Sequence, residues 1–359
     1  MVGLQMETLS ALGFDPYFQE QLSTSEAIPA RVAAEHRGSY EVWWAGGRVS
    51  AQVAGRLSRG VDAETYPGVG DWVTLQSPPA EGEPAIINGV LDRRTLFTRG
   101  AAGKQSQGQV VAANVDLVFI VTGLDSDFSL RRIERYLARV WASGAQPIAV
   151  LNKTDLCENV DTRICEVEAS CLGVPVLAIS ALDSTGSDPL RSHLKHGLTA
   201  AFVGSSGAGK STLVNALLGE DLMPTQEVSS HDGRGRHTTT HRQLLLLPQG
   251  GILIDTPGMR ELQLSDTDGL DAVFADIEEL AENCRFRDCT HQSEPGCAVR
   301  DAITTADLAP DRLDHYLKLQ SEAHSYQLRQ DERLRREADR AFGKMVSRDG
   351  RFLRRSKEG

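Results

Sequence analysis

Residues 204–212 constrain the fold of this chain more than any other segment. They read Gly-Ser-Ser-Gly-Ala-Gly-Lys-Ser-Thr, a full match to the G-x-x-x-x-G-K-S pattern, between the apolar run 200–203 and the helix-forming run 212–218. A strand, this loop and a helix in that order form the phosphate-binding unit of P-loop proteins, in which backbone N–H groups cradle phosphate oxygens. An ordinary glycine-rich turn does not require the Lys-Ser pair at this spacing. The sequence therefore predicts an α/β domain that binds a nucleotide.

The residues of this loop have distinct expected roles. Lys210 is predicted to reach the β- and γ-phosphate oxygens and to stabilise charge during catalysis, and the Ser211 hydroxyl is predicted to bind Mg²⁺. The other predicted nucleotide contacts in the segment are Gly204, Ser205, Ser206, Gly207, Ala208, Gly209 and Thr212.

Two segments upstream of the loop predict that the base is guanine. Asn152-Lys153-Thr154-Asp155 follows the apolar run 147–151 and matches the N-K-x-D motif. Its last carboxylate can accept hydrogen bonds from guanine N1–H and the 2-amino group, whereas adenine would leave it unpaired. Ser180-Ala181 follows another apolar run, and the Ala181 N–H is the expected contact for guanine O6. An ATP-using kinase or ATPase is the alternative, but no kinase acceptor site or second Walker-type partner is apparent.

Two segments downstream of the loop suit the γ-phosphate and its metal ion. Asp255-Thr256-Pro257-Gly258 ends an apolar run. Asp255 suits an outer-shell Mg²⁺ role, and the Gly258 N–H suits contact with the γ-phosphate. The segment 233–240 supplies three consecutive threonines, of which Thr239 is the candidate Mg²⁺ ligand, although Thr238 and Thr240 fit the sequence equally well. This Gly/Arg-rich segment could also be only a solvated loop.

The residue that would position the attacking water is unusual. Many GTPases place Gln directly after D-x-x-G, but Met259 stands there in this chain, and a thioether cannot position a water well. We therefore expect slow intrinsic hydrolysis. His237, immediately before the threonines, is the nearest group able to hold a water and is the candidate catalytic residue. Contact of this imidazole with RNA or solvent is the alternative.

The order of the motifs predicts a circular permutation. GTPases usually run from the P-loop through D-x-x-G to N-K-x-D and S-A, whereas here N-K-x-D and S-A precede the P-loop. Permutation can preserve the site because neighbouring chain ends can be joined and the chain opened elsewhere without altering the packed sheet.

The regions around the P-loop predict a multi-domain protein. About five short runs of β character, 31–35, 40–44, 48–57, 71–75 and 85–90, are separated by Gly and Pro turns and predict a small β-barrel such as an OB-fold. After a Gly/Ser/Gln-rich linker, strand and helix patterns alternate, which predicts a doubly wound, mostly parallel sheet. The predicted boundaries are an extension at 1–27, the barrel at 28–99, the linker at 100–109, the permuted nucleotide-binding domain at 110–268, a mainly helical domain at 269–325 and a basic tail at 326–359.

A cluster of cysteines in the helical region predicts a metal site. Cys284, Cys289, His291 and Cys297 lie within fourteen residues. Three thiolates and one imidazole match a closed tetrahedral structural zinc site, which leaves no position for a catalytic water. Free or buried thiols beside an incidental His are the alternative. The other three cysteines, at 157, 165 and 171, lack such partners and are expected to be ordinary packing or surface residues.

The charge distribution favours local contacts with RNA over generic DNA binding. The formal net charge is −11, but residues 329–359 carry 11 Lys/Arg against 6 Asp/Glu. Smaller basic clusters comprise Arg93, Arg94, Arg99 and Lys104, and then Arg234, Arg236, His241 and Arg242. Each could instead be a solvated face. No apolar run is long enough to span a membrane, and no basic residue precedes Arg31, so we expect an intracellular protein without a membrane partner.

The whole arrangement over residues 28–320 resembles the ribosome-small-subunit-dependent GTPases. The resemblance rests on the barrel, QVVAANVD at 109–116, N-K-T-D, the permuted P-loop, G-R-H-T-T-T, D-T-P-G and the Cys/His cluster. It implies a protein that hydrolyses GTP to GDP and phosphate, binds the small ribosomal subunit and its rRNA, and assists late maturation of that subunit, with the bound nucleotide controlling binding and release. Separately, we expect a cytoplasmic monomer. It also implies Mg²⁺ with GTP, one zinc ion at the four clustered ligands, and His237 as a catalytic residue. The alternative is a nucleotide-gated RNA-binding assembly module in which hydrolysis is incidental.

Overall fold

The chain forms two compact units, residues Met1–Gln263 and Leu264–Gly359. The computed structural model describes residues 9–24, 26–36, 38–55, 57, 66–99, 109–183, 186–219, 242–255 and 269–325. Within these ranges, no helix combines the length and the apolar character needed to cross a membrane. Most of the predicted linker, the segment around the three threonines and the basic tail lie outside them.

The first unit begins with a closed five-stranded barrel, as the alternating pattern predicts. Its strands are β1 (Ile28–His36), β2 (Ser39–Trp44), β3 (Gly47–Val53), β4 (Trp72–Leu75) and β5 (Ala85–Val90). They pair in the order β1-β2-β3-β5-β4, and β4 pairs again with β1 to close the barrel. Alternate side chains point inward, so small and branched residues such as Ala30, Val32 and Ile87 fill the interior.

The N-terminal segment packs against this barrel. Helix α1 (Pro16–Gln19) begins after Asp15, whose carboxylate accepts a hydrogen bond from the Tyr17 N–H over 3.1 Å. The ring centroids of Phe14 and Phe18 lie 4.8 and 5.8 Å from that of Trp72. The predicted extension therefore buries aromatic surface on the barrel.

A second sheet carries the P-loop. Its strands are β8 (Leu117–Gly123), β9 (Gln146–Asn152), β10 (Val176–Ala178), β11 (Thr199–Gly204), β12 (Gln243–Leu246) and β13 (Ile252–Asp255). Their order is β10-β9-β8-β11-β13-β12, and every pairing except β12–β13 is parallel. All residues of β8 are buried, which is typical of a parallel strand covered on both faces.

This sheet is hydrogen-bonded to the barrel. The pairing of Ala34 with Gln243 joins β1 to β12. A separate ribbon of β6 (Leu96–Arg99) and β7 (Gln109–Ala113) flanks the predicted linker, and β7 begins at the last residue assigned to that linker.

Helices pack on the second sheet, which carries the P-loop. They are α2 (Leu130–Ala142), α3 (Val160–Ser170), α4 (Asp188–His193) and α5 (Lys210–Leu218). Leu190 of α4 and Leu213 of α5 join Phe119, Val121 and Val150 in one buried cluster. The predicted doubly wound domain is confirmed by this alternation of strands and helices.

The second unit is mainly helical in its described part. It contains α6 (Leu270–Val273), α7 (Ala275–Ala281), α8 (Ala298–Thr304) and a further helix over 310–325. The Arg312 guanidinium binds both carboxylate oxygens of Asp276 at 2.5 and 2.8 Å, and the Tyr316 hydroxyl donates to Glu278 over 2.7 Å. These contacts hold the last helix against α7.

Candidate nucleotide-binding site and metal site

The predicted motifs meet at one edge of the parallel sheet. Gly123 pairs with Asn152 at the ends of β8 and β9, and Gly204 pairs with Val121 where β11 ends beside β8. From β8 the chain adds strands outward to β10, and it then returns to place β11 and β13 on the other side of β8. The strand order thus reverses between β8 and β11. Ligands of open α/β sheets bind at the carboxyl ends of the strands at such a switch point.

The P-loop connects β11 to α5 through conformations that require glycine. Gly204 and Gly209 have φ values of 141° and 96°. A Cβ at Gly204 would lie 2.1 Å from the Val121 carbonyl oxygen, and a Cβ at Gly209 would lie 2.1 Å from Asn152 Nδ2. The backbone of the loop therefore lies directly against β8 and against the N-K-x-D motif.

Lys210 and Ser211 occupy the first turn of α5. The Lys210 ammonium donates to the carbonyl oxygen of Gly204 over 2.8 Å and also to that of Ser205. The ammonium thus lies over the loop that would hold the phosphates. The remaining predicted loop residues, Ser206, Gly207, Ala208 and Thr212, follow the same strand–loop–helix path.

Asn152 connects the P-loop to the Ser-Ala loop. It is 1% exposed. Its Nδ2 donates to the Ala208 carbonyl oxygen over 2.8 Å, and its Oδ1 accepts a hydrogen bond from the Ala181 N–H over 3.0 Å. One buried amide therefore joins three predicted motifs. The Ala181 N–H, predicted to bind guanine O6, is donated to Asn152 in this structure.

The rest of the N-K-x-D motif contacts Asp125 on one side and the Ser-Ala loop on the other. Lys153 has a left-handed backbone, with φ 65°, and its ammonium lies 2.6 Å from Asp125 Oδ2. The Thr154 N–H donates to the carbonyl oxygen that precedes the Ser-Ala loop, over 3.2 Å. Asp155 Oδ1 accepts a hydrogen bond from the Ser180 hydroxyl over 2.5 Å. The carboxylate predicted to read the base is thereby oriented by Ser180 of the Ser-Ala loop.

Asp255 is the last residue of β13, which lies beside β11. It therefore stands at the same sheet edge as the P-loop. The other residues predicted to act on the γ-phosphate and water, His237, Thr239 and Gly258, lie outside the described residues together with Met259.

Two aspartates that the sequence analysis did not identify also reach the site. They lie on the loop 124–129, between β8 and α2. Asp125 binds Lys153, and Asp127 accepts a hydrogen bond from the Ser205 hydroxyl of the P-loop. Partial burial raises the pKa of Asp125, but the hydrogen bonds from Lys153 and from the Asp127 N–H, together with the charge of Lys153, outweigh it, so the pKa lies below its usual value. An Asp-x-Asp pair one residue after a buried strand was the available signal.

Some residues assigned to basic clusters make internal contacts instead. The Arg93 guanidinium binds both oxygens of the buried Asp71 carboxylate at 2.7 Å. The Arg242 guanidinium donates to the Val110 carbonyl oxygen over 2.8 Å and lies 3.7 Å from Glu35. These two arginines connect parts of the first unit and are not free cations of an exposed RNA-binding face.

The four predicted metal ligands converge in the second unit. The ligand atoms of Cys284, Cys289, His291 and Cys297 all lie within 4.8 Å of one another. The Cys284 and Cys297 sulfur atoms are 3.9 Å apart, and His291 Nδ1 lies 3.4 Å from the Cys297 sulfur. A tetrahedral site with Zn–S bonds near 2.3 Å places its sulfur atoms about 3.8 Å apart. The cluster can therefore bind a metal ion.

The thiols of this cluster differ in acidity. Burial opposes ionisation of Cys284, but the backbone N–H groups of Val299 and Ala298 outweigh it and lower the pKa of this thiol. Burial and the neighbouring thiols raise the pKa of Cys289 to about 11. Metal binding displaces the thiol protons, and the positive charge of the bound ion would offset the repulsion between the resulting thiolates.

Comparison with known proteins places the chain in a family. Residues 90–265 match the family model described as RsgA GTPase. The chain is 46% identical over 301 residues to the small ribosomal subunit biogenesis GTPase RsgA 2 of Lactiplantibacillus plantarum, with 84% of each chain covered. It is 47% identical over 328 residues to the small ribosomal subunit biogenesis GTPase RsgA of Opitutus terrae, with 88% of this chain and 89% of the relative covered. The chain belongs to the RsgA GTPase family.

Solved structures similar to this RsgA GTPase family member have the same architecture. YjeQ from Thermotoga maritima aligns with a TM-score of 0.62 and 28% identity, over 83% of this chain and 98% of that chain. YloQ, titled a circularly permuted GTPase, aligns with a TM-score of 0.60 and 25% identity, over 84% of this chain and 97% of that chain. The predictions of a GTPase, of a permuted domain and of its flanking barrel and Cys/His region are confirmed.

Proposed function

We propose that this chain hydrolyses GTP to GDP and phosphate and assists late maturation of the small ribosomal subunit. The bound nucleotide controls binding to the subunit and release from it. The observation that carries the proposal is the convergence of the N-K-x-D motif, the Ser-Ala loop and the P-loop through Asn152. The names of the relatives from L. plantarum and O. terrae, which refer to biogenesis of the small ribosomal subunit, support the proposed process.

Guanine selectivity follows from the orientation of Asp155. Its carboxylate is held by Ser180 and offers acceptors for N1–H and the 2-amino group of guanine, and adenine has no matching pair of donors. The stem of Lys153, anchored by Asp125, would lie against one face of the base. Competition of GTP and ATP for a fluorescent GDP analogue tests this step, and equal competition would contradict it.

The chemical step would depend on residues at the same sheet edge. Lys210 would bind the β- and γ-phosphate oxygens, and Gly258 would contact the γ-phosphate through its N–H. Hydroxyl and carboxylate oxygens suit Mg²⁺, so Ser211, Thr239 and Asp255 would hold this ion, which neutralises phosphate charge when bound. His237 would orient the attacking water, a role that the Met259 thioether cannot fill.

The Cys/His cluster would hold one zinc ion in a structural role. Three sulfur donors and one nitrogen suit zinc, and the four ligands complete a tetrahedron without leaving a site for water. The ion would stabilise the turn between α7 and α8, and it would take no part in GTP hydrolysis.

The proposed partner is the small ribosomal subunit with its rRNA, and the proposed location is the cytoplasm, where the chain acts as a monomer. Co-sedimentation with purified small and large subunits tests the partner. We expect binding to small subunits with a non-hydrolysable GTP analogue and release with GDP. Binding to large subunits alone, or equal binding with both nucleotides, would contradict the nucleotide-controlled function.

The alternative is an RNA-binding assembly module in which hydrolysis is incidental. A variant that hydrolyses GTP slowly but still binds and leaves the subunit with the correct nucleotide dependence distinguishes the two. Normal subunit maturation by such a variant would favour the alternative.

A further inference from the structure

The loop between β8 and α2 contacts both halves of the nucleotide site. Lys153 Nζ donates to Asp125 Oδ2 over 2.6 Å on the base side. On the phosphate side, the Ser205 hydroxyl donates to Asp127 Oδ2. The Asp127 N–H donates to Asp125 Oδ1 over 3.0 Å, so the two carboxylates belong to one hydrogen-bonded turn.

The position of this loop follows from the strand order. It leaves β8 at the switch point, directly beside the end of β11 where the P-loop begins. The Leu124 N–H donates to the Asn152 carbonyl oxygen over 2.8 Å, which attaches the start of the loop to the N-K-x-D strand. The loop thus links the second residue of the P-loop to the lysine of the N-K-x-D motif through two carboxylate side chains.

The charges of the loop are balanced within the site. Lys153 lies on Asp125, and Arg132 Nη1 of α2 lies 2.5 Å from Asp127 Oδ1. Each carboxylate is therefore paired with one cationic side chain. This arrangement allows two acidic residues to stand beside a phosphate-binding loop without leaving net negative charge that would repel phosphate.

We infer that Asp125 and Asp127 are positioning residues for the guanine nucleotide. Asp125 fixes the lysine whose stem lies against the base, and Asp127 fixes the hydroxyl of Ser205 and with it the entrance of the P-loop. The inference rests on the proposed function, because both aspartates act through residues that would touch GTP. Their described contacts are with Lys153, Ser205 and Arg132.

Nucleotides with different numbers of phosphates distinguish the role of Asp127 at the P-loop from the role of Asp125 on the base side. Displacement of a fluorescent GDP analogue by GDP and by GMP is measured for Asp125→Asn, Asp127→Asn and Asp127→Ala. Because Asp127 acts on the P-loop, we expect Asp127→Ala to weaken GDP about tenfold and GMP less than about twofold. Because Asp125 acts on the base side, we expect Asp125→Asn to weaken both nucleotides by about the same factor, near threefold.

Asp161→Asn is the matched control. Asp161 is exposed in the first turn of α3, so the variant makes the same change of charge in the same domain away from these contacts. A residue that only stabilised the fold would lower the melting temperature and leave the affinities of the folded protein for GDP and for GMP, and hence their ratio, unchanged. An unchanged ratio in Asp127→Ala would therefore overturn the assignment of that residue, and Asp127→Asn provides the same ratio if the alanine variant does not fold.

A double-mutant cycle tests whether Asp127 acts through Ser205. If it does, Asp127→Asn should have little further effect on GDP affinity in a Ser205→Ala background. Additive losses would overturn the proposed link. Absence of guanine selectivity in the wild-type chain would refute the proposed function. If the wild type is selective but the variants of Asp125 and Asp127 bind nucleotides as the control Asp161→Asn does, only this inference would be refuted.

Discussion

The Asn152 side-chain amide donates a hydrogen bond to the Ala208 carbonyl oxygen over 2.8 Å. The first residue of the N-K-x-D motif is thereby attached to the P-loop, although 56 positions separate the two residues in the sequence. The same amide accepts the Ala181 N–H. In a permuted chain these segments are not connected in the usual order, so their alignment depends on contacts across the sheet edge.

Replacement of Asn152 by Ala is expected to weaken both the fold and the site. The variant leaves the Ala208 carbonyl and the Ala181 N–H without their partner, and each buried unpaired group costs about 1–3 kcal/mol. Denaturant unfolding should report this loss of unfolding free energy, and GDP affinity should fall with it. Unchanged GDP affinity in a destabilised variant would show that the amide holds the fold but not the nucleotide loops.

Two glycines of the P-loop provide a matched comparison. Gly207 and Gly209 have φ values of 84° and 96°, so alanine is strained at either position. Only at Gly209 would the new Cβ meet Asn152 Nδ2, at 2.1 Å, whereas the space at Gly207 is open to 4 Å. We expect Gly207→Ala to cost about 1–2 kcal/mol of backbone strain and Gly209→Ala to abolish measurable GDP binding. Equal GDP affinities of the two variants would contradict the role assigned to the contact with Asn152.

Arg31 is expected to be a major determinant of the stability of the first unit. It is 1% exposed, and its guanidinium donates to the carbonyl oxygens of Leu12, Gly70 and Asn114. Burial lowers the pKa of this guanidinium to about 10, so it is still charged at neutral pH. Arg31→Met removes a donor from these carbonyl groups, and each buried group left unpaired costs about 1–3 kcal/mol, so we expect a loss of about 3–5 kcal/mol of unfolding free energy in chemical denaturation.

The conservative change Arg31→Lys should not restore stability, since one ammonium cannot replace a planar fork that reaches three carbonyl groups. Arg48→Met is the control, because Arg48 lies on the exposed side of β3 and its described contact is with the Trp43 ring, at 4.8 Å. Equal destabilisation by the changes at Arg31 and Arg48 would argue against the bridging role.

The sequence predicts local features of this molecule better than contacts across it. The P-loop, the N-K-x-D motif and the barrel strands are each encoded within a few residues, and the structure has strands close to the predicted positions. The partners of Asp127 and Arg93 could not be predicted in this way. Asp127 meets Ser205 only because β8 lies beside β11, and Arg93 resembles a surface cation until the fold places the buried Asp71 against it.

Glu294 is expected to support the metal site without binding the metal. Its carboxylate accepts hydrogen bonds from Thr290, Gln292 and Ser293, around a His291 backbone with φ 59°. We expect Glu294→Gln to release zinc faster to a chelator, because the neutral amide accepts these hydrogen bonds more weakly. Colorimetric zinc release under chelator competition measures the effect, and Asp301→Asn on the exposed face of α8 is the control.

The pH dependence of this effect has a definite sign. The hydroxyl of Thr290 and the surrounding backbone N–H groups lower the pKa of Glu294 from 4.5 to about 2. The stabilisation from the carboxylate is therefore complete above the pKa that Glu294 has in the unfolded chain, and it is lost as the pH falls from 4.5 toward 2. The ratio of zinc release rates between Glu294→Gln and wild type should consequently stay constant from about pH 6 to 8. A ratio that changes steeply in that range would show that another group controls the loop.

His237 is expected to matter only in the hydrolysis step. Met259 cannot orient the attacking water, so the intrinsic rate should be low, and His237 is the nearest candidate to hold that water. In single-turnover assays with small subunits present, we expect His237→Ala to lower the stimulated hydrolysis rate about 10²–10³-fold. Binding of GDP and of the subunit should be unchanged, because binding and water positioning use different groups. Full stimulation in the variant would remove His237 from the mechanism, and loss of subunit binding together with the rate would assign the imidazole to RNA contact instead.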